Sequence, residues 1–232
     1  MQPEITVVVP THNRADQLRR CLQSLALGTR ATDAHVEIIV VDDGSRDSTP
    51  EVVRQAERAG NARGLRREVG GGPAAARNLG WRAGAGGLVA FTDDDCEVDP
   101  GWLSALASRV SQAPEHVAGV GGRVLPARGD RVSSYMTLHR ILEPPPSLRY
   151  VVTANCIFRR SALESIGGFD EAVLAPGGED PGLCFHLGRL GYTFEFEPTA
   201  VVKHHYRSGF GDFLRTFYRT SSPSPHLRPH RG

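Results

Sequence analysis

Short apolar runs rich in β-branched residues recur through the first hundred residues and alternate with amphipathic stretches. Short continuous apolar runs bounded by turn residues are typical of strands buried on both faces of a sheet. In the stretch after the first run, Leu18, Cys21, Leu22 and Leu25 recur at helical spacing. The predicted strands cover residues 5–9, 36–41, 65–69 and 88–92. This alternation predicts an α/β fold with a doubly wound sheet.

Polar clusters follow three of these runs directly, at 10–13, 42–43 and 93–95. The carboxyl ends of parallel strands lie at one edge of a sheet, and doubly wound folds bind their ligands beyond that edge. Three such clusters are improbable by chance, whereas one alone would mean little. We therefore expect them to converge on a ligand site.

The pattern is less regular after residue 100. Predicted helices cover residues 102–110, 160–166 and 183–190, and predicted strands cover 117–125, 151–158, 192–197 and 200–204. Residues 129–146 are polar and then proline-rich, which is typical of a mobile loop rather than a domain linker. Residues 221–232 lack apolar periodicity and are predicted to form a disordered, proline-rich tail. We expect one domain over residues 1–220.

Composition narrows the class of protein. The 232 residues include 27 Lys plus Arg and 26 Asp plus Glu, giving a formal charge of +1. A dedicated nucleic-acid binder would usually carry a basic excess, so no nucleic-acid partner is expected. The four cysteines show no paired spacing and are predicted to be buried free thiols. No apolar run approaches the ~20 residues of a transmembrane segment, and no basic leader precedes the first strand, so we expect a soluble, cytoplasmic protein.

Asp93, Asp94 and Asp95 carry the strongest chemical signal. Adjacent carboxylates repel one another, so a fold keeps them together where a cation or several donors offset the cost. Mg²⁺ and Mn²⁺ take oxygen ligands, commonly one or two carboxylates together with substrate phosphates. The alternative is a solvated acidic turn, which the position directly after an apolar strand disfavours.

Other candidates have equally ordinary structural interpretations. Asp42 and Asp43 suit a strand-to-helix turn as well as a hydrogen bond to a base or ribose. Glu179 and Asp180 suit the start of a helix, where the dipole favours acids, as well as a catalytic base. Arg77 is predicted either to be solvated or to face a nucleotide. His204 and His205 are either surface residues or metal ligands.

Several motifs together resemble a known enzyme family. They are VVVPTHNR at 7–14, VVDDGS at 40–45, ARN at 76–78, FTDDD at 91–95 and GED at 178–180. In this order and spacing they resemble the inverting family 2 glycosyltransferases over residues 4–206. The resemblance implies the GT-A fold, a single Rossmann-like doubly wound mixed sheet flanked by helices.

The resemblance also implies roles for individual residues. Asp180 would be the general base, and Asp95 would be the main ligand of Mn²⁺ or Mg²⁺. His204 fits a second metal ligand best, and His205 fits less well. The residues expected around the nucleotide sugar are Pro10, Thr11, Asn13, Arg14, Asp42, Asp43, Arg77, Asp93, Asp94 and Glu179.

The implied reaction moves one sugar from a nucleotide-diphosphate sugar to an acceptor hydroxyl. UDP is the commonest donor nucleotide in the family. We expect the acceptor to be a soluble small molecule or glycan and the 129–146 loop to lie on its side of the site. The Q-x-x-R-W motif of processive polysaccharide synthases is missing, so a single transfer is predicted. The sequence leaves the oligomeric state open.

Three other functions compete with this interpretation. A nucleotidyltransferase would carry a Gly-rich, basic signature where this chain has Pro-Thr-His-Asn. A receiver-type domain would need a lysine, and the chain offers only the distant Lys203. A non-catalytic nucleotide-sugar or carbohydrate-binding module of the same fold is the main alternative, and Asp180 beside the three aspartates argues against it.

Overall fold

The structure, a computed structural model, describes residues 3–129, 134, 135, 138, 150–173 and 178–206. The predicted loop at 129–146 lies almost entirely outside these residues, and the predicted tail at 221–232 lies wholly outside them. The prediction of one domain over residues 1–220 therefore stays a prediction.

Strands and helices alternate along the described chain. The strands are β1 (Ile5–Thr11), β2 (Val36–Asp42), β3 (Arg63–Arg66), β4 (Leu88–Phe91), β5 (Cys96–Val98), β6 (Val117–Pro126), β7 (Cys156–Arg159) and β8 (Thr193–His204). The helices are α1 (Ala15–Gly28), α2 (Thr49–Arg58), α3 (Gly72–Ala83), α4 (Trp102–Gln112), α5 (Arg160–Ile166) and α6 (Glu179–Arg189), with a 3₁₀ turn at Thr29–Ala31.

All eight strands form one mixed sheet in the order β3-β2-β1-β4-β7-β6-β8-β5. Strands β3, β2, β1 and β4 are parallel to one another. Strand β7 is antiparallel to both β4 and β6, β6 is parallel to β8, and β5 lies antiparallel at the edge beside β8. The predicted α/β class with a doubly wound mixed sheet is confirmed.

Alternate residues of β1 pack into two apolar cores, which lie on opposite faces of the sheet. Val7 and Val9 pack into a cluster with residues of α1 and α4, whereas Val8 packs into one with residues of α3 and α6. All three valines are fully buried, each contributing about 1.5–3 kcal/mol. A strand covered on both faces needs apolar side chains at successive positions, which explains the unbroken run at the start of the chain.

Helix α3 lies very close to the sheet. A Cβ atom on Gly80 would come within 2.4 Å of Val8 Cγ1, so only glycine fits at this contact. The close approach brings the first turns of α3, including Arg77 and Asn78, towards the carboxyl ends of β1 and β4. Both of these polar side chains are buried.

Strand β1 does not end at Val9, as the proline had suggested, but continues through Pro10 to Thr11. The Val8 carbonyl on β1 accepts a hydrogen bond from the Thr92 N–H at 3.3 Å, so the backbone polar groups of Val8 point towards the β4 side. Residues two apart along a strand point these groups to the same side, so Pro10 also faces the β4 side. Because β4 ends at Phe91, the missing N–H of Pro10 costs no hydrogen bond within the sheet.

Several other predicted boundaries were wrong. The strand expected at 65–69 is β3, which ends at Arg66, and the strand expected at 151–158 begins only at Cys156. The strands expected at 192–197 and 200–204 are a single β8, whose pairing with β6 jumps from Glu197 to Val201. This irregularity accommodates Pro198, and the three-residue β5 was not predicted.

The cysteines agree with the sequence interpretation. All four cysteines are buried and free, as predicted. Among the described residues, no helix has both the length and the apolar character needed to cross a bilayer.

Candidate active site

The polar clusters do converge at one edge of the sheet. Thr11 at the end of β1 lies in register with Asp42 at the end of β2. The Thr11 hydroxyl donates to Asp94 Oδ2 at 2.7 Å, a contact that joins the end of β1 to the segment after β4. Thr11, Asp42 and Asp94 are all buried. The expected juxtaposition is therefore present in the structure.

Asp42 is fully committed to the turn that follows β2. One carboxylate oxygen accepts the Ser45 N–H at 2.9 Å, and the other is bonded to the guanidinium of Arg66 on β3. Gly44 in this turn has φ +79°, which favours glycine. Asp42 thus shapes the turn through both of its carboxylate oxygens.

Asp43 anchors the loop of three glycines at residues 70–72. Its carboxylate accepts N–H groups of Gly71 at 3.1 Å and Gly72 at 2.8 Å, and Arg67 donates to it at 3.1 Å. These amides therefore bind a carboxylate of the chain itself, and this carboxylate fixes where α3 begins. The sequence placed Asp43 near the ligand but did not reveal this pairing.

Asn13 connects the β1–α1 segment to the same turn. Its backbone N–H donates to Ser45 Oγ at 2.8 Å, and its side-chain oxygen accepts the Arg46 N–H at 2.7 Å. The residue has φ 53°, a left-handed conformation that asparagine tolerates better than most residues. The exposed Asn13 therefore fixes the position of Arg14, the next residue.

Arg14 lies on the aspartate cluster. Its Nη1 atom donates to Asp94 Oδ1 at 2.8 Å and to Asp95 Oδ2 at 2.6 Å. Burial raises the pKa of Asp94 to about 6, against the lowering effect of the Arg14 charge. Both oxygens of Asp94 are thus engaged, one by Arg14 and one by Thr11, and the residue as a whole is 3% exposed.

Within the described ranges, Asp95 and His204 offer the best place for a divalent cation. His204 Nε2 lies 3.3 Å from Asp95 Oδ1, and this oxygen and His204 Nδ1 are both buried without a hydrogen-bond partner. Burial acts to raise the pKa of Asp95, but the neighbouring His204 and Arg14 outweigh it and hold that pKa below its ordinary value. A carboxylate oxygen and an imidazole nitrogen so placed fit a divalent cation.

The two histidines differ sharply in position. His205 Nε2 lies 2.6 Å from Glu97, and its backbone N–H bonds the Asp95 carbonyl, so its ring turns away from the Asp95 carboxylate. Cys96 has its sulfur near Asp95 and His204. Burial raises the pKa of this thiol well above its usual range, and a neutral thiol is a poor ligand for a hard cation.

Arg77 joins the two acidic clusters. Its guanidinium donates to Asp93 Oδ1 at 2.8 Å and to Glu179 Oε1 at 3.0 Å. Burial acts to lower its pKa, but the charges of Asp93, Asp180 and Glu179 raise it above the ordinary value, so Arg77 stays charged. The side chain is 4% exposed and is therefore a buried bridge between β4 and α6.

Asp180 is held in place by a single threonine. Thr153 donates its N–H to Asp180 Oδ2 and its hydroxyl to Asp180 Oδ1, each at 2.9 Å. Burial and then the charge of Glu179 raise the pKa of Asp180 to about 7, while Arg77 opposes the rise. A carboxyl group with this pKa is well matched to general base catalysis near neutral pH.

Asn78 is the most important site-building residue whose role the sequence did not reveal. It donates to the Phe169 carbonyl and to Glu171, and its side-chain oxygen accepts from the Phe169 N–H and from Trp81 Nε1. These bonds hold the turn at Gly168, where φ is +89°. The only sequence signal for this residue was its place in the ARN motif, and the structure shows that its amide is buried on a helix.

Asn155 is a second buried amide that joins separate segments of the chain. Its amide accepts from Trp102 Nε1 and donates to the carbonyls of Arg123 and Ala200. The residue is 0% exposed. It is a polar anchor of the core.

A comparison with known families agrees with these observations. The sequence model described as "Glycosyl transferase family 2" matches residues 6–167. The chain is 34% identical to a pre-mycofactocin glycosyltransferase of Mycobacterium tuberculosis, over 94% of this chain and 47% of that protein. It is 29% identical to the glycosyltransferase AglE of Haloferax volcanii, over 94% of this chain and 71% of AglE. It therefore spans just under half the length of the mycobacterial relative.

Solved structures show the same architecture. The mannosyltransferase PcManGT of Pyrobaculum calidifontis, in complex with GDP-Man and Mn²⁺, superimposes with a TM-score of 0.68 at 23% identity, covering 97% of this chain and 67% of that one. Residues 1–349 of TarS from S. aureus, in complex with UDP-GlcNAc, give 0.67 at 22% identity, covering 91% and 60%. The predicted GT-A fold is confirmed.

Proposed function

The chain belongs to the family 2 glycosyltransferases, and from this premise we propose that it catalyses a metal-dependent, inverting transfer of one sugar from a nucleotide-diphosphate sugar. A UDP-sugar is the proposed donor. The proposed acceptor is a hydroxyl group of a soluble small molecule or glycan.

The observation that carries this proposal is the setting of Asp180. An acceptor hydroxyl is too weakly acidic to attack unaided, so a positioned base has to take its proton as the new bond forms. Thr153 fixes both oxygens of Asp180, and burial brings its pKa to about 7. Asp180 is therefore both oriented and ionisable at neutral pH.

Arg77 links this base to the donor side of the site. Because Arg77 bonds both Asp93 and Glu179, the residue before Asp180, the start of α6 is tied to the strand end that carries the three aspartates. The bridge supports a site in which donor and acceptor meet between these segments. One carboxylate oxygen of Asp93 takes no part in the bond to Arg77, and the side chain is 26% exposed. This oxygen suits a hydrogen bond from a hydroxyl group of the nucleotide sugar.

Asp95 and His204 would hold Mn²⁺ or Mg²⁺ in this proposal. The fit rests on their unpartnered buried atoms and on the 3.3 Å separation of Asp95 Oδ1 and His204 Nε2. When bound, such a cation would neutralise the negative charge that grows on the departing diphosphate. The Mn²⁺ in the PcManGT complex supports metal use in this fold.

The chain's own residues then account for a single displacement. The acceptor oxygen attacks the anomeric carbon from the face opposite the diphosphate, its proton passes to Asp180, and the bond to the diphosphate breaks. One in-line displacement inverts the anomeric configuration. A covalent sugar–enzyme intermediate is not part of this proposal.

Two measurements test the proposal together. Thermal shifts with UDP-sugars and GDP-sugars, with Mn²⁺ or EDTA, should identify a donor whose stabilisation requires the metal. Proton NMR of donor turnover should then show the inverted anomer forming first. Asp95→Asn should lose the metal dependence of donor binding.

Different results would point elsewhere. Equal donor stabilisation in EDTA would contradict the metal assignment, and first appearance of the retained anomer would contradict inversion. Metal-dependent donor binding without transfer or hydrolysis, across a panel of acceptors, would favour a non-catalytic nucleotide-sugar-binding module.

A further inference from the structure

Arg14 occupies an unusual position for a residue beside a cation site. One guanidinium nitrogen, Nη1, bonds a carboxylate oxygen of Asp94 and a carboxylate oxygen of Asp95. The remaining Asp95 oxygen, Oδ1, faces His204. Arg14 therefore holds one edge of the carboxylate that would ligate a divalent cation at its other edge.

The charges around Arg14 make its contact with Asp94 and Asp95 important for cation binding. Asp94 and Asp95 carry two negative charges, and Arg14 supplies one positive charge within 2.8 Å of both. Asp93 is paired with Arg77, which also bonds Glu179. A divalent cation on Asp95 would lie near the guanidinium, and like charges at such distances repel strongly where water is largely excluded.

Arg14 is also free to respond to a ligand. Its side chain is 28% exposed, whereas those of Asp94 and Asp95 are 4% and 13% exposed. A nucleoside diphosphate carries several negative charges and would offer the guanidinium a second partner, while its phosphate oxygens complete the cation's coordination. The rearrangement needs only side-chain rotation, because the backbone N–H of Arg14 is fixed by Thr49 Oγ1 at 3.0 Å.

We propose that Arg14 competes with the divalent cation for Asp94 and Asp95, so that tight cation binding requires the diphosphate of the donor. This inference rests on the proposed function for the identity of the site, but it assigns Arg14 a role of its own. Arg14 acts as a positioning residue that couples the two ligands. By linkage, the metal should strengthen nucleotide binding by the same factor.

The test is direct titration of Mn²⁺, followed through the electron paramagnetic resonance signal of the free ion. Without nucleotide, the wild-type protein should bind Mn²⁺ weakly. With saturating UDP, or with GDP if GDP is the nucleotide that binds, its Mn²⁺ affinity should be at least about 10-fold higher. Arg14→Gln should bind Mn²⁺ more tightly than wild type without nucleotide, and its gain from nucleotide should shrink. Arg14→Lys keeps the charge and should stay close to wild type.

Arg19→Gln is the matched control, because Arg19 lies on α1, directly after the segment that holds Arg14, and pairs only with the exposed Asp16 in the described part of the chain. It should leave both Mn²⁺ affinities unchanged. If Arg14→Gln is unstable without metal, Mn²⁺ should restore its folding transition, because the cation would replace the lost positive charge. Failure of Mn²⁺ to restore it would overturn the inference.

Two further outcomes would overturn the inference and distinguish it from the proposed function. Unchanged or weaker Mn²⁺ binding by Arg14→Gln, with loss of binding in Asp95→Asn, would refute competition while leaving the metal site intact. Absence of Mn²⁺ binding in wild type, with or without nucleotide, would refute both the competition and the metal dependence.

Discussion

At the scale of single residues, the pKa of Asp180 determines how the reaction should depend on pH. In the proposed reaction the carboxylate form accepts the proton, and burial places the pKa of Asp180 at about 7, well above the usual range for aspartate. We therefore expect kcat/KM to rise with pH up to about 7 and then level off. The measurement is a pH–rate profile of donor turnover, and a flat profile from pH 5 to 8 would exclude Asp180 as the titrating base.

Thr153 offers a second residue-scale prediction. Its hydroxyl and N–H both stabilise the ionised form of Asp180, so loss of the hydroxyl should raise the pKa of that carboxyl further. In Thr153→Val the acid limb of the pH–rate profile should move to higher pH, with a lower kcat at pH 7. Thr153→Ser keeps the hydroxyl and should retain the wild-type profile. An equal loss of rate in both variants at every pH would indicate a purely structural role.

The residue types that form the site could be predicted from the sequence, but their pairings could not. The aspartates at the strand ends were identifiable because an acidic cluster after an apolar strand is unusual. The sequence did not reveal that Asp42 and Asp43 are engaged by Arg66 and the glycine amides, since both partners lie more than twenty residues away. The position of Arg14 on Asp94 and Asp95 depends on contacts of the same long-range kind.

At the scale of elements, the turn after α5 depends on α3. Asn78 satisfies both backbone groups of Phe169 and the indole of Trp81, all within buried surroundings. Asn78→Ala would leave buried donors and an acceptor unpaired and should lower the free energy of unfolding by about 2 kcal/mol or more. Chemical denaturation measures this loss. The exposed Asn61→Ala is the control, and a loss no larger than in that variant would contradict the anchoring role.

Element types were predicted better than element boundaries. The helix at 160–166 agrees with the structure at both ends because its apolar spacing and the following glycines are local signals. The strand expected at 151–158 was wrong at its start, because residues 151–155 are buried for another reason. They include Thr153, which holds Asp180, and Asn155, whose amide bonds three segments of the core.

At the scale of the whole molecule, Arg77 connects the parallel half of the sheet with helix α6. Removing one member of a buried charge network typically costs about 3–5 kcal/mol, because the partners are left charged and unpaired. We therefore expect Arg77→Met to lower the free energy of unfolding by an amount in this range, despite its aliphatic side chain. Denaturant unfolding followed by circular dichroism measures the change.

Arg82→Met provides the comparison for this prediction, because Arg82 lies on the same helix and its side chain is 49% exposed. Exposed ion pairs contribute about 1 kcal/mol or less, so this variant should stay near wild type. Equal losses in the two variants would show that the bonds of Arg77 to Asp93 and Glu179 contribute no more to the free energy of unfolding than an exposed ion pair does.

The near-neutral net charge of the whole chain conceals this arrangement. Acids and arginines are almost equal in number, yet the acids at 93–95 and 179–180 gather at one edge of the sheet with Arg14 and Arg77 among them. The overall composition argues against a dedicated nucleic-acid binder, but only the three-dimensional contacts show how the clustered charges are balanced. In the proposed function, Asp95 and Asp180 are the carboxylates that act on the metal and on the acceptor.

The most direct test of the proposed reaction is turnover by Asp180→Asn in parallel with nucleotide binding. The amide can still accept the Thr153 N–H and bond its hydroxyl, so the fold and the donor site should be preserved. We expect kcat to fall about 10²–10⁴-fold while the Kd for the nucleotide with Mn²⁺ stays near the wild-type value. Near-normal kcat in Asp180→Asn would contradict the assignment of Asp180 as the general base.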